Sequence, residues 1–261
     1  MRIVVRLCVT CLVCCVGLFY LLVAGADGAS SSIEAGGEVL GDSLVVAGSP
    51  IEGEQRMSQE EVRRASPEAV AEREASSTAF EGLGSSKAAN LAAEAFPTAI
   101  DEGDGGPPKL PAGQQISSYL TDNVARVALP GDGHGVIESS LPMAVETSPE
   151  QWLPVDLGVR EAGNAFALTR PVVALSIPKQ LQEGVALAGS GVSLKPLNAA
   201  GAAVGGSEGA VDGAVVFYGD VGMGSDVDVV VKPLTAGFEE DALLRSVRSP
   251  QQLSFRLELL R

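Results

Sequence analysis

Asp226 and Asp228 form an Asp-x-Asp pair on a stretch that reads as a β-strand. A strand repeats its faces every two residues, so both carboxylates would share one face, about 7 Å apart. Two carboxylates at such a spacing could hold a divalent cation or divide the acid and base work of glycoside cleavage. The plainer reading, and the preferred one, is a solvated strand face opposite Val227, Val229 and Val231. Trp152, the only tryptophan, opens the run Trp152-Leu153-Pro154-Val155-Asp156 at a strand start. Exposed, its ring could stack on a sugar; buried, it would anchor a sheet, and burial is preferred. Trp152, Asp226 and Asp228 are the one ligand-binding set the sequence offers.

The remaining chemical candidates resolve into turns. His134 is the sole histidine, within Gly131-Asp132-Gly133-His134-Gly135, which reads as a turn tip. A histidine base needs a carboxylate and a nucleophile in reach, and only Asp132 and Ser139 stand near it in sequence. One histidine excludes a three-histidine zinc site. The stretches 222–226 (GMGSD) and 189–193 (GSGVS) lack the Lys-Ser/Thr ending of a phosphate loop and the full G-x-G-x-x-G pattern. Asp101, Glu102 and Asp104 do not follow the alternation of an EF-hand calcium loop. Glu239-Glu240-Asp241, after Gly237-Phe238, reads as a helix or strand entry within a loop. The sequence is therefore read as non-enzymatic, with no cofactor and no metal.

All four cysteines, Cys8, Cys11, Cys14 and Cys15, lie in one apolar run, Leu7 to Ala26. The C-x2-C-x2-C-C spacing would suit zinc or an iron–sulfur cluster. The setting argues against it. Arg2 and Arg6 precede the run and Ala24-Gly25-Ala26 ends it, which is the layout of a secretory signal with Asp27 as the first mature residue. Cysteine there serves as a small hydrophobe. The run reaches the roughly 20 residues of a spanning helix, so an uncleaved anchor is the competing reading. Cleavage would leave a chain without cysteine, folding outside the cytoplasm with no disulfide. The expected localisation is secreted or cell surface. The formal charge is −15, becoming −17 once Arg2 and Arg6 leave. Such an acidic chain repels nucleic acid and anionic lipid.

The elements that would position these residues fall into successive stretches. Residues 1–26 are the signal peptide. Residues 27–57, rich in Gly, Ser and Glu, read as a disordered leader whose one β-like stretch is Leu44–Ala47. Residues 58–96 read as a helical segment: Ser58-Gln59-Glu60-Glu61 is a capping box, and Ser66-Pro67-Glu68 repeats a start signal. A further helix over Ser86–Phe96 places Ala88, Leu91, Ala92 and Ala95 on one stripe, and Pro97 stops it. Residues 97–113 are a Gly/Pro-rich linker. From Gln114 to Arg261 short β-branched segments recur at about ten-residue spacing, which predicts a mainly β domain, an antiparallel sandwich or open β-roll. Leu253, Phe255, Leu257 and Leu259 share one face by period two. The last strand runs to the final residue, so the β domain (114–261) is read as truncated at its C-terminal side.

The segments EASSTAFEGL, AANLAAEAFP, LPAGQQISSYLTDNVARVALP, GHGVIESSLPMAVETSPEQWLPVDL and VVFYGDVGMGSDVDVVVKPLTAGFEEDALLRSVRSPQQLSFRL together resemble the N-terminal region of large secreted actinobacterial surface proteins that carry Rhs or YD repeats. The features that carry the likeness are Trp152-Leu153-Pro154-Val155-Asp156, Tyr218-Gly219-Asp220-Val221 and Asp226-Val227-Asp228, and it spans about residues 70–261. The resemblance implies a secreted β-rich module preceding a repeat array or meeting an envelope component, with no catalytic residue to carry over. This chain departs from the pattern in having no Tyr-Asp repeat array. The expected function is a non-enzymatic exported structural or interaction module; the alternative is a carbohydrate-binding or glycan-processing β-domain using Trp152, Asp226 and Asp228.

Overall fold

The computed structural model describes residues 3–10, 19–24, 30–32, 36–40, 43–47, 85–96, 110–246 and 248–259. The helix starts read at Ser58 and Ser66, the acidic residues Asp101, Glu102 and Asp104, and Cys11, Cys14 and Cys15 lie outside them. The chain is mainly β, and its sheets are antiparallel.

Strands β1 (Ile3–Thr10), β2 (Phe19–Ala24), β3 (Ser30–Ser32), β4 (Gly36–Leu40) and β5 (Ser43–Ala47) come first. β1 and β2 fall within residues 1–26, read as the signal peptide, and β5 covers the β-like stretch of the leader. Helix α1 (Ser85–Ala95) follows, on the predicted Ala-rich stretch. Two small sheets come next. One joins β6 (Gln115–Tyr119), β7 (Val124–Leu129) and β8 (Gly133–Glu138); the other pairs β9 (Ala144–Ser148) with β10 (Gln151–Pro154).

The rest builds two large sheets. β11 (Asp156–Ala162), β12 (Ala165–Arg170), β13 (Leu175–Pro178), β14 (Val185–Leu187), β15 (Val192–Leu197) and β20 (Ser254–Leu259) join β5 and β4 in an eight-stranded sheet. β16 (Gly209–Asp212), β17 (Val215–Tyr218), β18 (Val227–Leu234) and β19 (Gly237–Leu244) join β1, β2 and β3 in a seven-stranded one. The large sheets face each other, because one buried cluster takes Leu157, Phe166, Ile177 and Leu194 from the first and Val216, Val229, Val231 and Phe238 from the second. This is a sandwich, with apolar side chains of both inner faces removed from water together. At Gly209 the two sheets approach closely: a Cβ there would lie 2.7 Å from Tyr218, 2.9 Å from Phe166 and 2.9 Å from Val216.

Period two explains both faces of the seven-stranded sheet. Val227, Val229 and Val231 of β18 point into the sandwich. Val230 points the other way, with Val215, Phe217 and Leu243, and meets Ala88, Ala89, Ala92 and Phe96 of the α1 region. The Ala stripe is thus a docking face: small side chains let the helix lie close to the sheet. β18 is a central strand buried on both faces from Val227 to Pro233, its charged Asp228 and Lys232 included. Pro233 is tolerated because the β17 pairing covers only Val229–Val231.

Several predicted strands divide differently. VIESSLPMAVE, read as one segment, is split between β8 and β9, and WLPVDLGV between β10 and β11. Pro142 and Pro154 lie near these breaks, where a missing N–H interrupts the ladder.

Candidate functional site

β18 begins at Val227, and Asp226 precedes it with φ +58, a left-handed conformation. The two acids therefore do not form the regular same-strand pair that period two predicts. Each has its own set of partners. The Asp226 carboxylate accepts a hydrogen bond from the Ser246 hydroxyl and one of 3.0 Å from Arg248 Nε. Its backbone carbonyl accepts from Arg245 N at 3.0 Å and from Ser249 Oγ at 3.0 Å. Asp226 is a corner that ties the 245–249 turn to the start of β18.

Asp228 points toward the α1 face. Its Oδ2 lies 2.8 Å from Arg245 Nε, and its Oδ1 accepts the Asp220 backbone N–H at 2.9 Å. Arg245 also pairs with Asp220, so one buried guanidinium bridges two carboxylates. Burial pushes the Asp228 carboxyl up to about 6; Arg245 and the Asp220 N–H pull it back, and the Asp220 and Asp226 carboxylates add to the rise. The same face holds a second pair: Lys232 Nζ lies 2.8 Å from Asp241 Oδ2, both side chains fully buried. Removing either partner would strand a charge in the interior.

Glu239-Glu240-Asp241 is not a loop or an element entry. All three sit mid-strand in β19, whose hairpin register with β18 fixes them against Val230, Val231 and Lys232. Glu240 shares its face with Phe238 and Ala242, so its carboxyl enters the sandwich core. Both of its oxygens lack a hydrogen-bond partner. Burial, and secondarily the Asp241 carboxylate, push it up to about 8. At neutral pH it is mostly a protonated acid, as an unpaired buried carboxyl must be. The neighbouring Tyr218 phenol is held far above its ordinary range, chiefly by burial, and donates its hydroxyl to Pro178 O of the opposite sheet.

Trp152 sits on β10, away from these acids. It belongs to neither buried cluster and is only half-buried. Its ring lines an open hollow of about 470 Å3 with Tyr119, Ile116, Leu153, Thr147 and Gln151; Ser117, Ser118 and Glu150 complete the wall. Asp226 and Asp228 are not part of it. The hairpin that aims Trp152 is tightly determined. Glu150 takes a left-handed φ of +63 at its turn, and its N–H donates to Glu146 Oε1 at 3.0 Å. Ser148 Oγ donates to Gln151 Oε1 at 2.8 Å, and the β9–β10 register shifts between Gln151 and Trp152. Burial lifts the Tyr119 phenol above its usual value, with Arg170 opposing, so it stays a neutral hydroxyl donor.

His134 lies in β8, exposed, rather than at the turn tip; the turn is Gly131-Asp132, both with positive φ. Among the described residues, no group of three or more His, Cys, Asp or Glu could hold a metal ion. No helix among them is long and apolar enough to cross a membrane. The partners that sequence reasoning missed, Arg245, Lys232 and Tyr119, carry no motif. They join their sites only through pairing across strands. Comparisons with protein-family models, curated proteins and solved structures found no match.

Proposed function

We propose that the protein is an exported, non-enzymatic module whose β-sandwich serves structure and interaction rather than catalysis. The observation that carries this reading is the fate of the acidic residues. Asp226 and Asp228, the pair best placed by spacing for chemistry, are engaged by Arg248 at a turn and by the buried Arg245, and Asp241 is held by Lys232 inside the fold. A carboxylate so engaged stabilises a turn or a sheet face; it is not presented to a substrate.

Export rests on the N-terminal apolar run with its flanking arginines and small-residue end. The likeness to the N-terminal region of secreted actinobacterial Rhs/YD-repeat proteins is in keeping with a surface or secreted role beside a repeat array or envelope component. Cleavage after Ala26 would remove β1 and β2 and leave β19 as a sheet edge.

The test is secretion followed by N-terminal sequencing of the released chain. A sequence beginning at Asp27 is expected. Material retained in the cytoplasm, with Met1 or Arg2 at its start, would overturn the export reading.

A further inference from the structure

We propose that the hollow between β6 and β10 is a saccharide site that takes a neutral, unbranched glycan across Trp152 and Tyr119. The inference rests on the interaction-module reading and names its ligand class. The chain has one tryptophan and only 4% aromatic residues. A sandwich short of large rings would gain most by burying that indole, yet it is only part-buried on a small outer sheet. Tyr119 is also only partly buried, and Leu153 beside them is 44% exposed. Apolar surface left in solvent around a fixed aromatic ring is the mark of a binding surface.

The lining narrows the ligand. Aromatic faces alternate with the hydroxyls of Ser117, Ser118, Thr147 and Tyr119, the Gln151 amide and the Glu150 carboxylate. A pyranose needs this mixture: its C–H face stacks on a ring while its hydroxyls exchange hydrogen bonds with small polar groups. A proline-rich peptide would want apolar ridges and few acceptors. No Lys or Arg lines the hollow. The cation that acts on the Tyr119 phenol is Arg170, which is engaged with Pro154 O at 2.8 Å. With Glu150 in the wall, an acidic glycan would be repelled.

The geometry is also pre-formed. The left-handed Glu150, the Glu146 and Ser148 hydrogen bonds and the register shift fix the direction in which Trp152 leaves its strand. A non-glycine residue at positive φ persists when its surroundings over-determine it, and such positions gather at binding sites. Because the hollow is open rather than enclosed, it suits a segment of a polymer better than a small molecule surrounded on all sides.

Trp152, as the only tryptophan, reports directly on its own site. The full chain is titrated with cellohexaose and chitohexaose while tryptophan emission is followed, with oligogalacturonate and a proline-rich decapeptide in parallel. At least one neutral hexasaccharide should give a saturable blue shift, with Kd on the order of 0.1–1 mM, typical of a shallow open site. By calorimetry, Trp152→Ala should weaken binding about tenfold or more, Tyr119→Ala should weaken it severalfold, and Trp152→Phe should retain most of it. The melting temperatures of the variants confirm that each is folded. Absence of saturation by either neutral glycan at about 10 mM would overturn the proposal. So would tighter binding of oligogalacturonate, or binding of the peptide in place of the sugars. Failure here leaves the N-terminus of secreted material unchanged, so it is distinct from failure of the export reading.

Discussion

The face of the seven-stranded sheet beneath α1 and the outer hairpin of β9 and β10 distribute their chemistry in opposite ways. Under α1, ionisable groups are buried, paired and surrounded by Val215, Phe217, Val230 and Leu243. On β10, the largest aromatic ring of the chain is left partly in solvent, among hydroxyls and an amide. The first arrangement fixes a fold: a buried ion pair contributes little net energy against an apolar replacement, but breaking it strands a charge. The second leaves surface unsatisfied and open to a ligand. The acids that look reactive in sequence are thus engaged within the fold, and the tryptophan that reads as an anchor is only part-buried.

The contrast breaks most sharply at Lys232. Lys232→Ala would leave Asp241 charged and fully buried, and should lower stability by about 3–5 kcal/mol. The double variant Lys232→Met/Asp241→Leu should recover most of that loss in urea unfolding. If the single variant unfolds like the parent, the pair is not a structural element.

The next largest effect is a pH dependence from Glu240. Its folded carboxyl titrates at about 8 against 4.5 when free. The folded state holds a proton that the unfolded state releases between those values. Stability is therefore full at low pH and falls as pH rises through this window, by about 1.4 kcal/mol per pH unit. Asp228, raised from 3.8 to about 6, adds a slope of the same sign in its lower range. Glu240→Gln should flatten the fall between pH 6 and 8, read from urea midpoints across that range. A steeper fall in the variant would contradict a protonated Glu240.

The smallest expected change in stability is at Trp152. Truncating a part-buried ring on an outer strand should shift unfolding by about 1 kcal/mol or less, whereas loss of a core aromatic costs about 3–5. A core-sized loss in Trp152→Ala would return the indole to the anchoring role.

The mainly β, antiparallel architecture was legible because its cues are local: β-branched runs, period-two faces such as Leu253, Phe255 and Leu257, and turns at Gly222–Gly224. The α1 stripe of Ala88 and Ala92 was legible for the same reason. Asp226 and Asp228 were seen as a pair, but the left-handed φ that ends their regularity follows from the hydrogen bonds of Ser246 and Arg248, twenty or more residues away. Glu239-Glu240-Asp241 looked like a loop because three acids disfavour a buried strand. Full pairing with β18 overrode that preference. Tyr119 gave no sign of partnering Trp152, since β6 and β10 meet only in the folded chain.

The separation of structural charge from presented aromatic surface is tested most directly by measuring cellohexaose binding and thermal unfolding on Asp228→Asn and Trp152→Ala together. Asp228→Asn should melt lower yet bind as the parent does below its transition, while Trp152→Ala should melt near the parent and lose binding. Loss of binding in Asp228→Asn with retention in Trp152→Ala would contradict that separation.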